Sequence, residues 1–236
     1  MAKKISVRPR LLDIFRRLEK AFGPQHWWPA ESALEMILGA FLTQNTSWRN
    51  ASAAILNLKK KGKISVSKLL RTSSRSLAGM VKPAGYFNVK ARRIRNFVVF
   101  INKKYRTLEN LFKEETPRLR AELLGINGIG PETADSILLY AARRPVFVVD
   151  AYTRRIFSRL GLAPETADYA HFQTLFMENL PTRSSLFNEY HALIVRLAKT
   201  HCTNRPECPA CPLLSICVYG RSQTAPQLIN TVVTLI

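Results

Sequence analysis

Acidic residues are scarce in this sequence: 16 Asp and Glu stand against 36 Lys and Arg, which gives a formal net charge of +20. Glycine and proline are also few, at 10 and 13 of 236 residues, and 47% of the residues are hydrophobic. This balance excludes a disordered chain and predicts a packed core. The positive excess predicts a polyanionic partner. Nucleic acid fits better than a membrane surface, because no basic amphipathic helix stands apart from the folded pattern.

Long apolar runs are absent as well, since none approaches the roughly 18 residues of a membrane helix. The start, Met1-Ala2-Lys3-Lys4, carries charge without the apolar stretch of a signal peptide. Cysteine is missing until residue 202, and all four cysteines then fall within 202–217, a grouping that indicates a metal site rather than disulfides. We therefore expect an intracellular protein, cytoplasmic and associated with the nucleoid, without a membrane partner.

The alternation typical of β-strands is scarce, whereas apolar residues recur with the helical period along most of the chain. Ser32 with Glu35 forms a capping-box pattern at the start of one helix, and the pattern predicts a long helix from Tyr86 to about Lys104. The sequence thus predicts an all-α fold. The other predicted helices cover about 11–22, 47–58, shorter pieces within 65–82, 117–124, 133–142, 150–160, 165–180 and 184–199.

A glycine-rich hairpin separates two of these helical segments. Its sequence is Leu124-Gly125-Ile126-Asn127-Gly128-Ile129-Gly130. The glycines allow a tight turn and let a phosphate approach the N–H groups of Gly128 and Gly130, beside a helix N-terminus that Pro131 would begin. An ordinary connection between helices would need one glycine only. The hairpin is therefore predicted to bind the DNA backbone, without reading its sequence.

The segment Gly128–Ala134, followed by Asp150 twenty residues after Gly130, resembles the helix-hairpin-helix and Gly-Pro-Asp signature of the endonuclease III superfamily. The resemblance extends to Leu42–Thr46, Gly85–Ala91 and the cysteines. It implies a two-lobed helix-hairpin-helix DNA glycosylase that acts as a monomer on double-stranded DNA with a damaged base. The implied domains are a central lobe of the six-helix type over 25–135 that ends in the hairpin 124–130, a second lobe over 1–24 plus 136–221 that contains the cluster loop 202–217, and a disordered tail over 222–236.

Two carboxylates define the chemistry that the resemblance implies. Asp150 follows an apolar run and opens a predicted helix, a position that by itself favours an N-cap. In the superfamily the matching aspartate also faces the extruded nucleotide, where it stabilises the positive sugar and orients water. Glu132 stands where strand-nicking members carry the lysine that forms a Schiff base. Because a carboxylate cannot form that imine, we predict a monofunctional glycosylase.

All three tryptophans lie in Trp27-Trp28-Pro29 and at Trp48. Tryptophans usually fill a core, but aromatic faces also hold a flipped base by stacking. Together with Glu132, these residues resemble 3-methyladenine DNA glycosylase III and its bacterial and archaeal relatives. This likeness implies removal of alkylated purines, whose cationic base leaves readily and is attracted by electron-rich indoles.

The same resemblance assigns the residues that contact DNA. Gln44 would fill the gap left in the duplex, and Tyr86, where the family often has leucine, would wedge beside it. Arg92, Arg93 and Arg95 are interpreted as a solvated surface that faces DNA. The predicted substrate-binding residues are Trp27, Trp28, Pro29, Trp48 and Glu132. The predicted DNA-binding residues are Gln44, Tyr86, Gly125, Ile126, Gly128, Gly130 and Thr133.

The four cysteines, Cys202, Cys208, Cys211 and Cys217, have the spacing C-x5-C-x2-C-x5-C. Tetrahedral zinc and a [4Fe-4S] cluster both accept four thiolates, and spacing alone leaves both open. The superfamily resemblance implies [4Fe-4S], although the first gap is five residues where the family commonly has six. That departure makes His201 an outside candidate for a ligand. The cluster is expected to hold a basic loop, with Arg205 and Lys199 nearby, against DNA.

Two other functions remain open at this point. One is an endonuclease III-like glycosylase for oxidised pyrimidines or for mismatched thymine or uracil, with or without lyase activity at abasic sites. The other is a non-catalytic DNA-binding protein that uses its metal structurally. The position of Asp150 after the apolar run argues against the latter.

Overall fold

The fold is helical throughout residues 7–224, the part of the chain that this computed structural model describes, and that part contains no β-strand. The prediction of an all-α fold is confirmed there. The predictions for the start, Met1–Lys4, and for the part of the tail from 225 to 236 lie outside the described residues. Residues 222–224, predicted as the beginning of a disordered tail, instead end a helix, Val218–Thr224. The α-helices are α1 (Val7–Phe22), α2 (Ala33–Leu42), α3 (Trp48–Lys60), α4 (Val66–Leu70), α5 (Ser74–Val81), α6 (Phe87–Phe100), α7 (Leu108–Leu111), α8 (Thr116–Leu124), α9 (Pro131–Ser136), α10 (Ala151–Arg159), α11 (Tyr169–Met177), α12 (Ser184–Thr200) and α13 (Val218–Thr224).

Local capping signals set several of the helix starts. The Ser32 hydroxyl accepts a hydrogen bond from the backbone N–H of Glu35 at 3.2 Å, as half of the predicted capping box. The reciprocal bond goes elsewhere, because the Glu35 carboxylate accepts from the N–H of Glu31 at 3.2 Å. Ser47 caps α3 through the N–H of Asn50 at 3.3 Å. These polar side chains satisfy N–H groups that a helix start leaves without a partner.

Three predicted helices differ from the observed ones. The long helix from Tyr86 is α-helical only to Phe100 and continues as a π-helix, Ile101–Tyr105. The segment predicted as 133–142 is α9 followed by a second π-helix, Ile137–Ala141. The helix predicted to begin at 165 begins at Tyr169, because the Asp168 carboxylate caps it there by accepting from the N–H of His171 at 2.8 Å. The period of the hydrophobic residues does not distinguish a π-helix from an α-helix, so the two π-helices could not be predicted from it.

Contacts within the chain define two compact units. We call residues His26–Val148 with Pro181–Glu189 the hairpin unit. We call the described residues up to Gln25, Val149–Leu180 and the described residues from Tyr190 onward the cysteine unit. The hairpin unit extends to Val148, whereas the sequence predicts that the central lobe ends at residue 135. The unit is longer because Ile137, Leu138 and Val146 lie in its hydrophobic core.

Each unit has its own hydrophobic core. In the hairpin unit, α2 is buried along most of its length and packs with α3, α6 and the second π-helix. In the cysteine unit, aromatic rings fill the centre: Phe157 contacts Phe176 edge-on at 4.7 Å, and the buried Tyr190 hydroxyl donates to the carbonyl of Leu11 at 2.8 Å. Within residues 7–224, no helix combines the length and apolar character needed to cross a membrane.

Candidate functional site

The hairpin between α8 and α9 leaves backbone donors available. Ile126 and Ile129 are buried in the core of the hairpin unit and anchor the loop from beneath. Among the hydrogen bonds of the described residues, the N–H groups of Gly128 and Gly130 have no acceptor. Gly128 has φ +98°, which favours glycine, and a Cβ at Gly130 would meet nothing within 4 Å. Both N–H groups are therefore available as donors, and the binding of a phosphate by them stays a prediction.

An ion pair that the sequence analysis missed connects the two helices of the hairpin. Arg120 in α8 donates two hydrogen bonds to the carboxylate of Asp135 in α9, at 2.7 and 3.0 Å. Asp135 is fully buried. Such a two-pronged pair fixes geometry as well as adding energy. Nothing local in the sequence marks it, since the residues lie fifteen positions apart across the loop.

Gln44 lies in the turn after α2 and its side-chain amide is held at both ends. Its Nε2 donates to the hydroxyl of Thr133 in α9 at 2.8 Å, and its Oε1 accepts from the guanidinium of Arg93 in α6. The structure thus brings together two of the residues predicted to contact DNA, Gln44 and Thr133. Gly125, another residue predicted to contact DNA, ends α8 with φ −70°. Any residue can adopt that conformation, so the backbone at this position does not require glycine.

Tyr86 precedes α6 in the left-handed conformation, with φ +45°, and its side chain is 72% exposed. The role of this exposed ring as a wedge stays a prediction. Two residues before it, the carbonyl of Ala84 accepts a hydrogen bond of 2.6 Å from the ammonium of Lys90. The same ammonium donates to the carbonyl of Leu42 at 2.9 Å, two residues before Gln44. Lys90, 2% exposed, therefore connects both segments predicted to enter the duplex.

Burial has a clear effect on Lys90. Loss of hydration lowers the pKa of its ammonium, and the nearby charge of Arg93 lowers that pKa further. Sequence reasoning missed this residue, because nothing separates it from the other lysines and arginines of a strongly basic chain. The two carbonyls it binds end α2 and a short 3₁₀ turn, Lys82–Ala84, and so would otherwise lack intrahelical donors.

An aromatic wall borders a cavity of about 440 Å³ in the hairpin unit. Trp27, Trp28 and Tyr140 line it, and the Trp28 and Tyr140 ring centroids lie 5.5 Å apart. The indole of Trp28 lies against α2 at Gly39, where an added Cβ would come within 3.1 Å of the ring. A glycine at this position therefore lets the indole approach the helix backbone closely. The cavity also carries polar groups, among them Glu31, Ser184, Ser185 and Asn188.

Other residues predicted to bind substrate lie outside that lining. Trp48 contacts the other two tryptophans, with ring centroids 5.7 Å from Trp27 and 5.3 Å from Trp28, and supports them. Pro29 is exposed and does not line the cavity. Glu132 is exposed in the first turn of α9, beside the hairpin. The aromatic residue that sequence reasoning missed is Tyr140, which the π-helix Ile137–Ala141 carries.

Asp150, in the cysteine unit, caps α10. Its Oδ1 accepts from the backbone N–H of Thr153 at 2.7 Å and from the Thr153 hydroxyl at 2.9 Å, so the expected N-cap exists. Its other oxygen lies 3.6 Å from Nε2 of His191 in α12, and the carboxylate is 14% exposed. Burial raises the pKa of Asp150, but the nearby imidazole of His191 and the two Thr153 donors lower it by more. The net pKa lies below the usual range, which keeps the carboxylate ionised at neutral pH.

His191 is the partner of Asp150 that the sequence did not reveal. It is buried, and it follows Tyr190 in a stretch of α12 whose other residues belong to a hydrophobic core. A single histidine in such a stretch most often completes the packing, so pattern alone gave no reason to connect it with a carboxylate 41 positions earlier. The contact orients the free oxygen of Asp150.

The four cysteines are free and line one small cavity in the cysteine unit, together with His201, Arg159 and Gly220. Two N–H groups point at their sulfurs: Gly220 donates to Cys217 at 3.3 Å, and the Arg159 guanidinium donates to Cys202 at 3.3 Å. A Cβ at Gly220 would come within 3.5 Å of the Cys217 sulfur. The donor set suits a metal centre with negatively charged sulfur ligands.

As the side chains stand, no three ligand residues among 7–224 are placed to hold a single metal ion. Burial raises the pKa of the Cys208 thiol and raises that of Cys211 to about 11, so both are protonated in the metal-free chain at neutral pH. Metal uptake would release those protons.

Arg159, which the sequence analysis missed, also stacks on Tyr219 with 4.8 Å between the guanidinium carbon and the ring centroid.

The chain thus carries, in this order, a glycine hairpin, an aspartate that caps a later helix and a loop of four free cysteines. The family model described as "HhH-GPD superfamily base excision DNA repair protein" matches residues 38–182. The chain belongs to this superfamily and is a DNA N-glycosylase.

Two similar proteins agree with this assignment, and a third, less similar one shares the fold. A Methanocaldococcus jannaschii protein, provisionally named a DNA repair glycosylase, is 46% identical over 88% of this chain and 96% of its own length. The crystal structure of a 3-methyladenine DNA glycosylase of H. pylori bound to 1,N6-ethenoadenine matches with a TM-score of 0.69 and 30% identity, over 83% of this chain and 98% of that one. An endonuclease III trapped as a covalent intermediate with DNA matches with a TM-score of 0.79 and 22% identity, over 92% and 98%.

Proposed function

We propose that this protein is a monofunctional glycosylase that hydrolyses the N-glycosidic bond of alkylated purines, such as 3-methyladenine, in double-stranded DNA. The aromatic wall of Trp27, Trp28 and Tyr140 beside its cavity carries the proposal, since electron-rich rings suit a flat, cationic base. The H. pylori enzyme, which holds an alkylated adenine and is 30% identical, supports the same substrate class. We further propose that the protein acts as an intracellular monomer.

The bond that breaks joins C1′ of the deoxyribose to a ring nitrogen of the purine. A base alkylated at N3 is already positively charged, so it leaves as a neutral molecule and needs no strong general acid. The positive charge then passes to the sugar, where the ionised carboxylate of Asp150 stabilises it. Water adds to C1′ and releases a proton, which leaves free 3-methyladenine and an abasic site.

Glu132 supports the absence of strand cleavage. It lies in the first turn of α9 directly after the hairpin, and a carboxylate cannot attack the sugar to form an imine. Lys90, in the same unit, is a poor substitute, because its amine is 2% exposed and donates to two backbone carbonyls. The abasic product should therefore remain in an intact strand.

Base release from methylated duplex DNA tests this function. We expect free 3-methyladenine by chromatography, with strand breaks that appear only after hot alkali. Matched duplexes that contain thymine glycol or a T·G mismatch serve as the comparison and should release no base. Breaks without alkali on the thymine glycol duplex would instead identify an endonuclease III-like enzyme. A lack of release from all three duplexes would refute the alkylpurine assignment and direct the search to other lesions.

The cysteine cavity is the proposed site of a [4Fe-4S] cluster held by Cys202, Cys208, Cys211 and Cys217. The N–H groups of Gly220 and Arg159 would stabilise the charged sulfurs. The bound cluster would supply a rigid cross-link for the loop rather than take part in bond cleavage. Arg155 would position the same loop, because its Nε donates to the carbonyl of Cys202 at 2.9 Å.

Protein purified without oxygen should be brown, absorb in the visible range and contain about four irons per chain. Cys211→Ser should lose the colour and most of the iron. His201→Ala is the matched control, since His201 lines the same cavity but is not a proposed ligand, and it should keep the iron. One zinc per chain in place of iron, or iron that depends on His201, would contradict this assignment.

A further inference from the structure

The amide of Gln44 has a fixed orientation. A guanidinium carries only hydrogen-bond donors, so the group that faces Arg93 must be the oxygen, Oε1. The amide nitrogen then points to the Thr133 hydroxyl, to which it donates at 2.8 Å. A half-turn of the amide would place two sets of donors against each other. Arg93 therefore decides which end of Gln44 is the acceptor.

The held amide still has hydrogen-bonding capacity. One lone pair of Oε1 and one N–H of Nε2 remain after the bonds to Arg93 and Thr133 are counted. These two groups form an acceptor and a donor in a fixed order. The four bases present donors and acceptors in different orders along their edges, so an amide of fixed order favours some of them over others.

Arg93 itself is held by the hairpin. A Cβ at Gly128 would collide with Cγ of Arg93 and would lie 3.0 Å from its Cδ, so the arginine stem covers the glycine closely. One turn further along α6, the Asn96 amide donates to the carbonyl of Asn127 at 3.0 Å. The stem of Arg93 thus packs on the hairpin, which lowers the entropy cost of ordering this long side chain on binding.

We propose that Arg93 is a positioning residue that orients the Gln44 amide and thereby sets which base this glycosylase prefers opposite the lesion. The proposal rests on the proposed glycosylase function and on the prediction, implied by the family resemblance, that Gln44 fills the gap left in the duplex. Arg93 acts through Gln44 and does not itself read a base. A guanidinium that only neutralised a phosphate would strengthen binding equally for all four opposite bases.

Affinity for a DNA duplex with a tetrahydrofuran abasic analogue, measured opposite A, C, G and T, tests the proposal. The variants are Arg93→Met, Gln44→Ala and the double substitution. Methionine keeps a stem over Gly128 and removes only the guanidinium. We expect the native protein to separate its best and worst opposite base by about tenfold in Kd, and Arg93→Met to reduce that ratio to about twofold.

The double-mutant cycle identifies the route of the effect. In the Gln44→Ala background, Arg93→Met should leave the ratio between opposite bases unchanged, because the amide that Arg93 orients is gone. Arg92→Met, which removes the same charge from an exposed neighbouring position, should weaken all four duplexes alike and keep the ratio. Melting curves of each variant confirm that it folds.

Three results would overturn the proposal: a native protein that does not distinguish opposite bases, an Arg93→Met protein that keeps the full ratio, or an equal effect of Arg93→Met with and without Gln44. Binding to the analogue requires no bond cleavage. Failure of base release from methylated DNA would therefore refute the alkylpurine function and leave the opposite-base result readable on its own.

Discussion

Replacement of Asp150 by asparagine should lower the rate of base release by about 10³-fold while the protein remains as stable as before. The loss follows because the neutral amide cannot stabilise the positive sugar, an electrostatic contribution of the size found at other preorganised sites. Stability should survive because asparagine caps a helix as well as aspartate does, and its oxygen can still accept from Thr153. Single-turnover release of 3-methyladenine and the melting temperature measure the two effects.

Asp168→Asn is the matched control for this substitution. Asp168 caps α11 in the same unit, through the N–H of His171, and plays no part in the proposed chemistry. It should change neither the rate nor the melting temperature. Asp150→Ala, by contrast, should lose activity and about 1 kcal/mol of stability together, because the cap also disappears. An Asp150→Asn protein that retains more than about a tenth of the native rate would remove Asp150 from the reaction.

The lowered pKa of Asp150 determines how the unfolding free energy of the protein depends on pH. The pKa of its carboxyl is lower in the folded chain than the ordinary value of 3.8 that applies in the unfolded chain. Its contribution is therefore fully present above pH 3.8 and is lost as the pH falls through the folded value. Asp150→Asn has no carboxyl to titrate at this position. The two proteins, equally stable at neutral pH, should therefore differ in unfolding free energy only in acid, where the native protein loses this contribution and Asp150→Asn does not.

Lys90→Met should lower the melting temperature by about 5 °C. Methionine fills much of the same space but leaves the carbonyls of Leu42 and Ala84 without their donor. Because the variant also no longer buries a charge, the net loss of unfolding free energy should be about 2 kcal/mol. Both carbonyls lie two residues before a side chain proposed to enter DNA. Affinity for the abasic-analogue duplex should fall as well.

The pH dependence of this effect distinguishes it from simple loss of packing. Because the folded pKa of Lys90 is lowered from 10.5, the unfolded chain binds more protons between the folded value and pH 10.5. Native stability gains a contribution from Lys90 as the pH rises through that window, and Lys90→Met should lack it. Lys113→Met, at an exposed position, should match the native protein throughout. An unchanged melting temperature for Lys90→Met would show that water replaces the ammonium.

Features that depend on neighbours in the chain could be predicted from the sequence. Ser47 and Asp150 cap the helices they precede, because a capping bond joins residues three positions apart. The glycines of the hairpin indicate a tight turn for the same local reason. The family resemblance then supplied a role for Gln44 and Asp150 that no local pattern contains.

Features that depend on distant partners could not be predicted. Lys90 donates to a carbonyl 48 positions away, and Arg93 donates to an amide oxygen 49 positions away. Neither hydrogen bond changes the pattern of hydrophobic residues from which helices are predicted. The sequence predicts α-helix beyond the ends of α6 and α9, because the π-turns that follow them keep apolar residues on the buried side. Tyr140 joins the aromatic wall only through one of those turns.

The grouping of the aromatic rings has an optical consequence. The chain contains three tryptophans, at 27, 28 and 48, and every pair of them has ring centroids within 5.7 Å. Indole emission from the whole protein therefore originates in one place, beside the cavity of the hairpin unit, without background from the cysteine unit. A stacked base should quench this emission directly, and the visible absorption of an iron cluster would follow the other unit independently. With the proposed cluster bound, each unit would thus have its own spectroscopic reporter, without an added label.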